Sequence, residues 1–435
     1  NDLIVHEWGT FTSKFSTTGV PYQDLHKTID EPVPDFVYHI NFDTIYEIGR
    51  EYNKGYERDT GRLDLQDVSI KMETPVLYFY SAKAIEELRV QVEFPKGSIS
   101  EYYPLPFVRE DTNYVKRHTR NANSRYGKAS LSFIDYKGYA KWNINVLAPD
   151  DLIPLTYVDE EVPKLWSAPR KTKANKIECN GEVEKYIFYR GLASFETQIQ
   201  PSYTYSGNLL VKNQGLAIKY AIVYEKTPEG ERFIWGVNSI PENGLITFEP
   251  SKVSISDADW TNGYRQGFVS SLIDAGLYRD EAEAMLNTWD ESYFGKPGIK
   301  IFWIVPRSFT DEILPISFSE SVVDLQRVMV GRTEIDPYKI NERQLYKADV
   351  EQKSVVDTYQ FFPNPANGQI TITSSKNINE QVNVEIFDIL GRPLLKQSIN
   401  VAPIQGGTLD IRNISTGIYT LKIQEGEVQS KLVVQ

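Results

Sequence analysis

Along the first 340 residues, apolar and polar positions alternate in short runs between clusters of turn-forming residues. The runs at 69–80, 89–94, 141–147, 186–189, 216–225, 232–237, 299–305 and 325–330 place β-branched or aromatic side chains at every second position. That is the pattern of strands with one face on a core. One stretch breaks the period. Trp260, Tyr264, Phe268 and Leu272 recur at helical spacing after Ser256 or Asp257 as N-cap, and Gly276 closes the run; Ala282, Met285, Leu286 and Trp289 then form a second stripe. The reading is a mainly β body over 1–340 with one helix hairpin at about 257–291. Neither a fixed-period repeat nor a low-complexity tract interrupts it.

The pattern changes near residue 357. All 7 Trp, all 4 His, all 3 Met and the 1 Cys precede it, so the tail at 358–435 reads as a separate module of about seven short strands. Between the two, 341–357 (NERQLYKADVEQKSVVD) is polar, charged and free of Gly and Pro, an expected exposed linker with some helix. In the tail, Phe362-Pro363-Asn364-Pro365-Ala366-Asn367-Gly368 fixes φ twice through proline and then offers an Asn-Gly pair suited to positive φ. Val382, Val384 and Ile386 alternate inward, Asp388-Ile389-Leu390-Gly391-Arg392 turns the chain, and Leu409 and Ile411 lead to Ser415-Thr416-Gly417. Tyr419, Leu421 and Ile423 then share a face, and Lys431-Leu432-Val433-Val434 ends the chain. The expected tail fold is a small Ig-like antiparallel β-sandwich.

These tail residues resemble, in order, the type A C-terminal sorting domain of the Por (type IX) secretion system. FPNPANG at 362–368, VEIFDILGR at 384–392, STGIYTLKI at 415–423 and KLVV at 431–434 carry the resemblance. The departures are Phe362, where Tyr is more usual, and Pro393 after the Gly-Arg pair. The resemblance implies a secreted cargo of a Gram-negative bacterium that crosses the periplasm and is recognised through its tail by the type IX translocon. It also implies an outer-membrane barrel shuttle and a surface sortase as partners, with cleavage in the linker and a lipid-linked anchor in place of the tail. Strand physics adds an expectation that the closing strand 431–434 offers an edge for β-augmentation.

Composition narrows the rest. The net charge of −12 without a basic run argues against nucleic acid or an anionic lipid surface. The most continuous apolar stretch, 299–306, is far below the ~20 residues of a membrane span. The opening Asn1-Asp2-Leu3-Ile4-Val5 lacks a basic and apolar leader, so the expectation is a mature end with any export signal already removed.

In the body, VHEWGTFTS at 5–13, KMETPVLYF at 71–79, FYRG at 188–191, AGLY at 275–278, VPR at 305–307 and VMVGR at 328–332 resemble a family of uncharacterised exported bacterial proteins. That resemblance brings no catalytic residue. On physical grounds His6, Glu7 and Glu73 are the ionisable groups expected to be held inside, with Arg190, Arg307 and Arg332 as candidate partners. Two readings stay open. In one, Glu7 or Glu73 is a general acid or base, His6 a shuttle, and an arginine such as Arg190 holds an anionic or carbonyl group. In the other they are structural ion pairs.

The histidines, His6, His26, His39 and His118, have no short ligand spacing, and Asp59 to Asp67 lacks calcium-loop order, so neither a metal nor another cofactor is expected. Cys179 would need a His partner to act as nucleophile. No GxSxG, P-loop or GxGxxG signature is present. Tyr102, Tyr103, Tyr203, Tyr205 and Trp166 are candidates to stack on sugars or peptide side chains, or to cap the core. The expected body is a surface binding or structural module with a glycan or protein ligand; the alternative is a secreted hydrolase acting on glycans through strand carboxylates.

Overall fold

The computed structural model describes residues 2–27, 33–40, 64–120, 129–158, 162–203, 208–248, 252–335, 359–374, 379–388, 392–402, 406–423 and 428–435. It divides into two compact units, 1–338 and 339–435. The linker reading at 341–357, Tyr205 and Gly391 lie outside the described residues.

A ten-stranded sheet organises the first unit. Its order is Val253–Ile255, Arg232–Ile240, Ile218–Lys226, Gly298–Ile304, Asp324–Ile335, Ile4–Phe15, Ile70–Tyr80, Ile187–Ala193, Gly97–Tyr103 and Tyr38–His39. Neighbours are antiparallel except at the centre, where Ile4–Phe15 runs parallel to Asp324–Ile335 over 12 paired positions. The two ends of the body thus lie side by side, with Trp8 beside Val328 and Thr12 beside Arg332.

One face of this sheet packs on two smaller sheets. The first holds Glu182–Glu184, Ile177–Cys179, Lys137–Val146, Ile85–Pro95 and Ile316–Phe318, with Val108–Arg109 beside Lys137–Val146; the second holds Ile199–Tyr203, Leu209–Asn213 and Leu245–Phe248. Val5, Phe11, Leu77, Phe79, Trp142, Tyr189 and Met329 fill that core. The other face packs on helices, and Trp8, Val76, Tyr78, Phe268, Met285, Trp289, Tyr293 and Val328 fill the second core. Central strands covered on both sides read as near-continuous burial rather than alternation, and Ile4–Phe15 is buried at ten of its twelve positions.

The helix hairpin forms as the spacing predicts. Ser256 caps it, its hydroxyl accepting from Asp259 N at 3.1 Å while the Asp259 carboxylate accepts from Ser256 N at 3.0 Å, a capping box. The first arm ends at Gly276 (φ +122°), where Leu277 N donates to Leu272 O and Gly276 N to Ile273 O. The second arm starts at Arg279–Thr288. Thr112–His118, Lys164–Ser167 and Arg307–Ile313 add short helices that the periodicity does not reveal.

The second unit is a seven-stranded sandwich, as its alternation predicts. The strand order is Pro393–Val401, Glu380–Phe387, Gly417–Ile423, Val428–Val434, Tyr359–Asn367, Gln369–Ser374 and Gly407–Asp410. The residues Ile370, Ile372, Val382, Val384, Ile386, Leu409, Leu421, Ile423, Leu432 and Val434 form its core. One expectation is corrected. The terminal pairing position of the closing strand is covered, because Val434 pairs with Ala366 and Gln435 N donates to Ala366 O at 2.9 Å. The outermost strands are Pro393–Val401 and Gly407–Asp410. Pro393, which lacks an N–H, opens an edge strand, where the missing donor is tolerated.

Candidate functional site

The ionisable candidates of the body fall into three clusters around the central strands. On the sheet-packed face, Glu7 accepts from Arg327 Nε at 2.5 Å and from the Tyr189 hydroxyl, and all three side chains are fully enclosed. Arg327 Nη1 reaches Asp311 at 2.9 Å, and Arg307 Nε lies 2.8 Å from the same carboxylate. The chain of charges therefore runs from the core to the half-exposed helix Arg307–Ile313. Burial, then the Glu7 charge, pushes the Tyr189 phenol well above its usual range. A tyrosine that stays protonated is the right donor for a carboxylate.

On the helix-packed face, His6 Nδ1 sits 2.8 Å from Glu281 Oε2. The same carboxylate accepts from Tyr80 OH at 2.6 Å and from Tyr278 N at 2.7 Å. The His6 ring lies 4.4 Å from the Tyr278 ring and 5.4 Å from the Tyr80 ring, and Nε2 is buried without a hydrogen-bond partner among the described residues. Glu281 is the third residue of the second helical arm, so this cluster pins the helix start onto the opening strand.

Glu73 forms the third cluster, also on the helix-packed face. It accepts from Tyr293 OH at 2.9 Å and from Arg332 Nη1 at 3.4 Å, while Arg332 also grips Glu334. The Arg332 guanidinium stands 4.1 Å from the Tyr293 ring centroid, a cation–π contact.

Glu7 and Glu73 consequently face opposite sides of the sheet. The reason is one extra residue. Trp8 pairs with Val76 but Thr10 pairs with Glu73, so two residues of Ile70–Tyr80, Thr74 and Pro75, oppose one of Ile4–Phe15, Gly9, and Thr74 takes φ +47° at the bulge. Beyond it the alternation changes sides: Val76 and Tyr78 face the helices, whereas Met72 and Ile70 face the small sheets. Thr74 is held there by Trp289 Nε1, which donates to its hydroxyl at 2.9 Å. Unbroken period-two alternation would have placed Glu73 on the side of Glu7.

Among the arginines, Arg332 does pair with Glu73. Arg307 pairs with Asp311, and Arg190 lies 3.4 Å from Glu101; neither touches Glu7 or Glu73. The partner of Glu7, Arg327, is its direct neighbour in the parallel pair, and it went unread because 320 residues separate the two. Cys179 is buried, and burial, then Glu178 and Glu182, pushes its thiol up to about 12, away from nucleophilic chemistry. Among the described residues no group of three His, Cys, Asp or Glu is placed to hold a metal ion.

Of the two readings of the aromatics, stacking on a ligand or packing on the core, the second holds. Tyr102, Tyr103 and Trp166 are buried core residues, and Tyr203 packs partly buried against the same core as Tyr102. Trp166 Nε1 donates to Glu184 at 3.0 Å, and Tyr103 packs against Phe36 and Trp166. Among the described residues the body exposes aliphatic and aromatic side chains: Leu152 is 94% exposed, Ile153 follows it and Val158 lies five residues on, and Phe107 and Tyr278 are exposed elsewhere. Lys176 Nζ holds this loop by donating to Asp151 O at 2.7 Å and to Ile153 O.

In the tail, Gly368 turns the chain at φ +76° between Asn367 and Gln369, following the Pro363 and Pro365 run in the strand Tyr359–Asn367. The Asp388 carboxylate accepts from Arg392 N at 2.9 Å and Nε at 2.6 Å, bracketing the turn. Tyr419 OH donates to Ser415 O at 2.7 Å, closing the STG approach to its strand. Gly417, Ile418, Tyr419 and Thr420 pair with Val434, Val433, Leu432 and Lys431, so two of the recognised motifs form one ladder.

Among the described residues no helix is long and apolar enough to cross a membrane. No curated protein matches the chain. Among solved structures it is similar to chicken CNTN1 FN1-FN3 domains, at 8% identity over 83% of this chain and 94% of that one, with a TM-score of 0.14. A second is the BSP domain of a biofilm associated protein, at 11% identity over 84% and 77%, with a TM-score of 0.15. At such scores neither carries an argument. Residues 360–435 match the family of the secretion system C-terminal sorting domain, and with its motifs in order on a seven-stranded sandwich the tail is a type IX sorting domain.

Proposed function

We propose that the chain is a type IX cargo that presents its body at the cell surface or in the medium as a binding module for a protein ligand. The sorting domain supports the export half. On this reading the tail engages the translocon, an outer-membrane barrel shuttle and a surface sortase, after transit of the periplasm, and the linker is where the sortase cuts.

The observation that carries the binding half is how the candidate acid–base groups are used. Glu7, Glu73 and His6 are each tied to a partner from a distant strand or helix, and the two carboxylates lie on opposite faces of one sheet. A glycan hydrolase working through strand carboxylates needs two of them flanking one bond. Burial of Tyr102, Tyr103 and Trp166 takes these candidates out of reach of a sugar, while the anchored loop bearing Leu152, Ile153 and Val158 offers an aliphatic surface suited to a protein.

The test uses the full chain, with crosslinking to intact cells and quantitative identification of the captured proteins. The reading expects a specific protein partner whose capture falls at least tenfold in the Leu152→Glu, Ile153→Lys double variant. Undiminished capture by that variant would move the surface elsewhere. Hydrolysis of a glycan panel that is lost on Glu73→Gln would replace the reading with the hydrolase.

A further inference from the structure

On the helix-packed face, Lys300 sits in the strand Gly298–Ile304 between Tyr224 and Glu334 of its neighbours. Its side chain is almost wholly enclosed, yet it borders a cavity of about 50 Å³ lined by Lys14, Pro297, Gly298, Ile299, Lys300, Glu334 and Ile335. Nζ donates to the Lys296 carbonyl at 2.5 Å. The charges that face it come from every neighbouring element: Glu334 and Arg332 from Asp324–Ile335, Lys226 from Ile218–Lys226 and Lys296 from the preceding turn; Lys14 of the opening strand, which pairs with Glu334, also lines the cavity.

A buried amine surrounded by more positive than negative charge is disfavoured as ammonium and favoured as an anion. Burial is the largest influence; Glu334 opposes it, and Arg332, Lys296 and Lys226 reinforce it, leaving the amine at about 7. At mildly alkaline pH the side chain is therefore a neutral nucleophile, as desolvated lysines beside other cations are.

We propose that Lys300 is a carbon dioxide modification site, whose amine takes up CO2 as a carbamate facing Lys14 in this cavity. The Nζ lone pair attacks the carbon of CO2, one C=O π pair moves to oxygen, and one amine proton leaves to solvent, so the step needs neither oxidant nor reductant. The product keeps one N–H, which is what the Lys296 carbonyl requires, and gains two acceptor oxygens for Lys14. The cavity volume is several times the roughly 10–15 Å³ that admits one water on the same measure, which leaves room for a carbon and two oxygens. The modification would exchange a buried neutral amine for an anion and tie the strand Gly298–Ile304 to the opening strand.

The test equilibrates the full chain with 13C-bicarbonate at about pH 8, where ordinary lysines near pKa 10.4 stay protonated, and observes the carbamate region by 13C NMR. Alkylation with a trialkyloxonium salt then fixes the adduct for peptide mapping. The expected result is a trapped carbamate on Lys300 at several times the occupancy of any exposed lysine, lost on removal of CO2 and reduced severalfold in Lys14→Met. Lys300 found unmodified while the amino terminus is labelled would overturn the proposal, and mapping on the wild-type chain makes this independent of whether a Lys300 variant folds. Unchanged occupancy in Lys14→Met would overturn the assignment of Lys14 as the facing cation.

Discussion

Glu7 and Arg327 show what a charge inside a doubly covered sheet demands. Each is fully enclosed; Glu7 is bonded by Arg327 and Tyr189, and Arg327 by Glu7 and Asp311, with Arg327 Nη2 left without a hydrogen-bond partner among the described residues. Removing one member strands the other, at about 3–5 kcal/mol, whereas replacing both by apolar residues of similar volume is nearly neutral. Glu7→Gln should therefore lower the denaturant midpoint far more than the Glu7→Leu, Arg327→Met pair, and equal losses would contradict a structural ion pair. Titration gives a second prediction. Burial raises the Glu334 carboxyl, but Arg332 and then Lys300 outweigh it and hold it at about 2. Its folded value lies below the unfolded one, so its contribution is full above about pH 4.5 and is lost as pH falls toward 2. For Lys300 the folded value of about 7 also lies below the unfolded one; the folded state binds fewer protons there, and stability rises with pH from about 7 to 10.5. In CO2-free buffer Lys300→Met should flatten the alkaline rise, read as thermal midpoint against pH; an unaltered rise would contradict this.

At the scale of elements, glycine placement gives predictions of opposite sign from the same substitution. Gly276 has φ +122°, and a Cβ there would come 2.5 Å from Gln326 Oε1. Gly276→Ala should destabilise by about 1–3 kcal/mol. Gly267 lies inside the helix Arg265–Asp274 with open space around it, so Gly267→Ala should stabilise by up to about 1 kcal/mol. Urea unfolding of the two variants checks both, and a shared sign would contradict the assigned helix end. The hairpin was legible because its spacing, cap and terminator agree with one another. The bulge at Thr74 was not. Nothing in Lys71-Met72-Glu73-Thr74-Pro75 marks an extra residue until its pairing with Thr10 and Trp8 is known, and alternation carried through it puts Glu73 on the wrong side. The central parallel pair was hidden likewise: both strands are apolar enough to read as strands, but their adjacency depends on a return across more than three hundred residues.

The whole molecule combines a body whose chemistry is long-range with a tail whose signals are local. In 360–435 local pairs such as Asn367-Gly368, or Asp388 with Arg392 four residues on, mark changes of direction, and the domain could be read from its motifs in order. In the body the partners of Glu7, His6 and Glu73 lie 320, 275 and 220 residues away, so residue types could be flagged but not assembled. This division carries the central claim, that the tail provides delivery and the body provides the exported surface. The most direct measurement compares full-length protein with a chain ending at residue 357 in a producing bacterium, by surface protease accessibility and fractionation. The account predicts that the shortened chain folds but accumulates in the periplasm, and that residues 358–435 fused to a neutral reporter carry it outward. A shortened chain that reaches the surface as efficiently as the full one would contradict it.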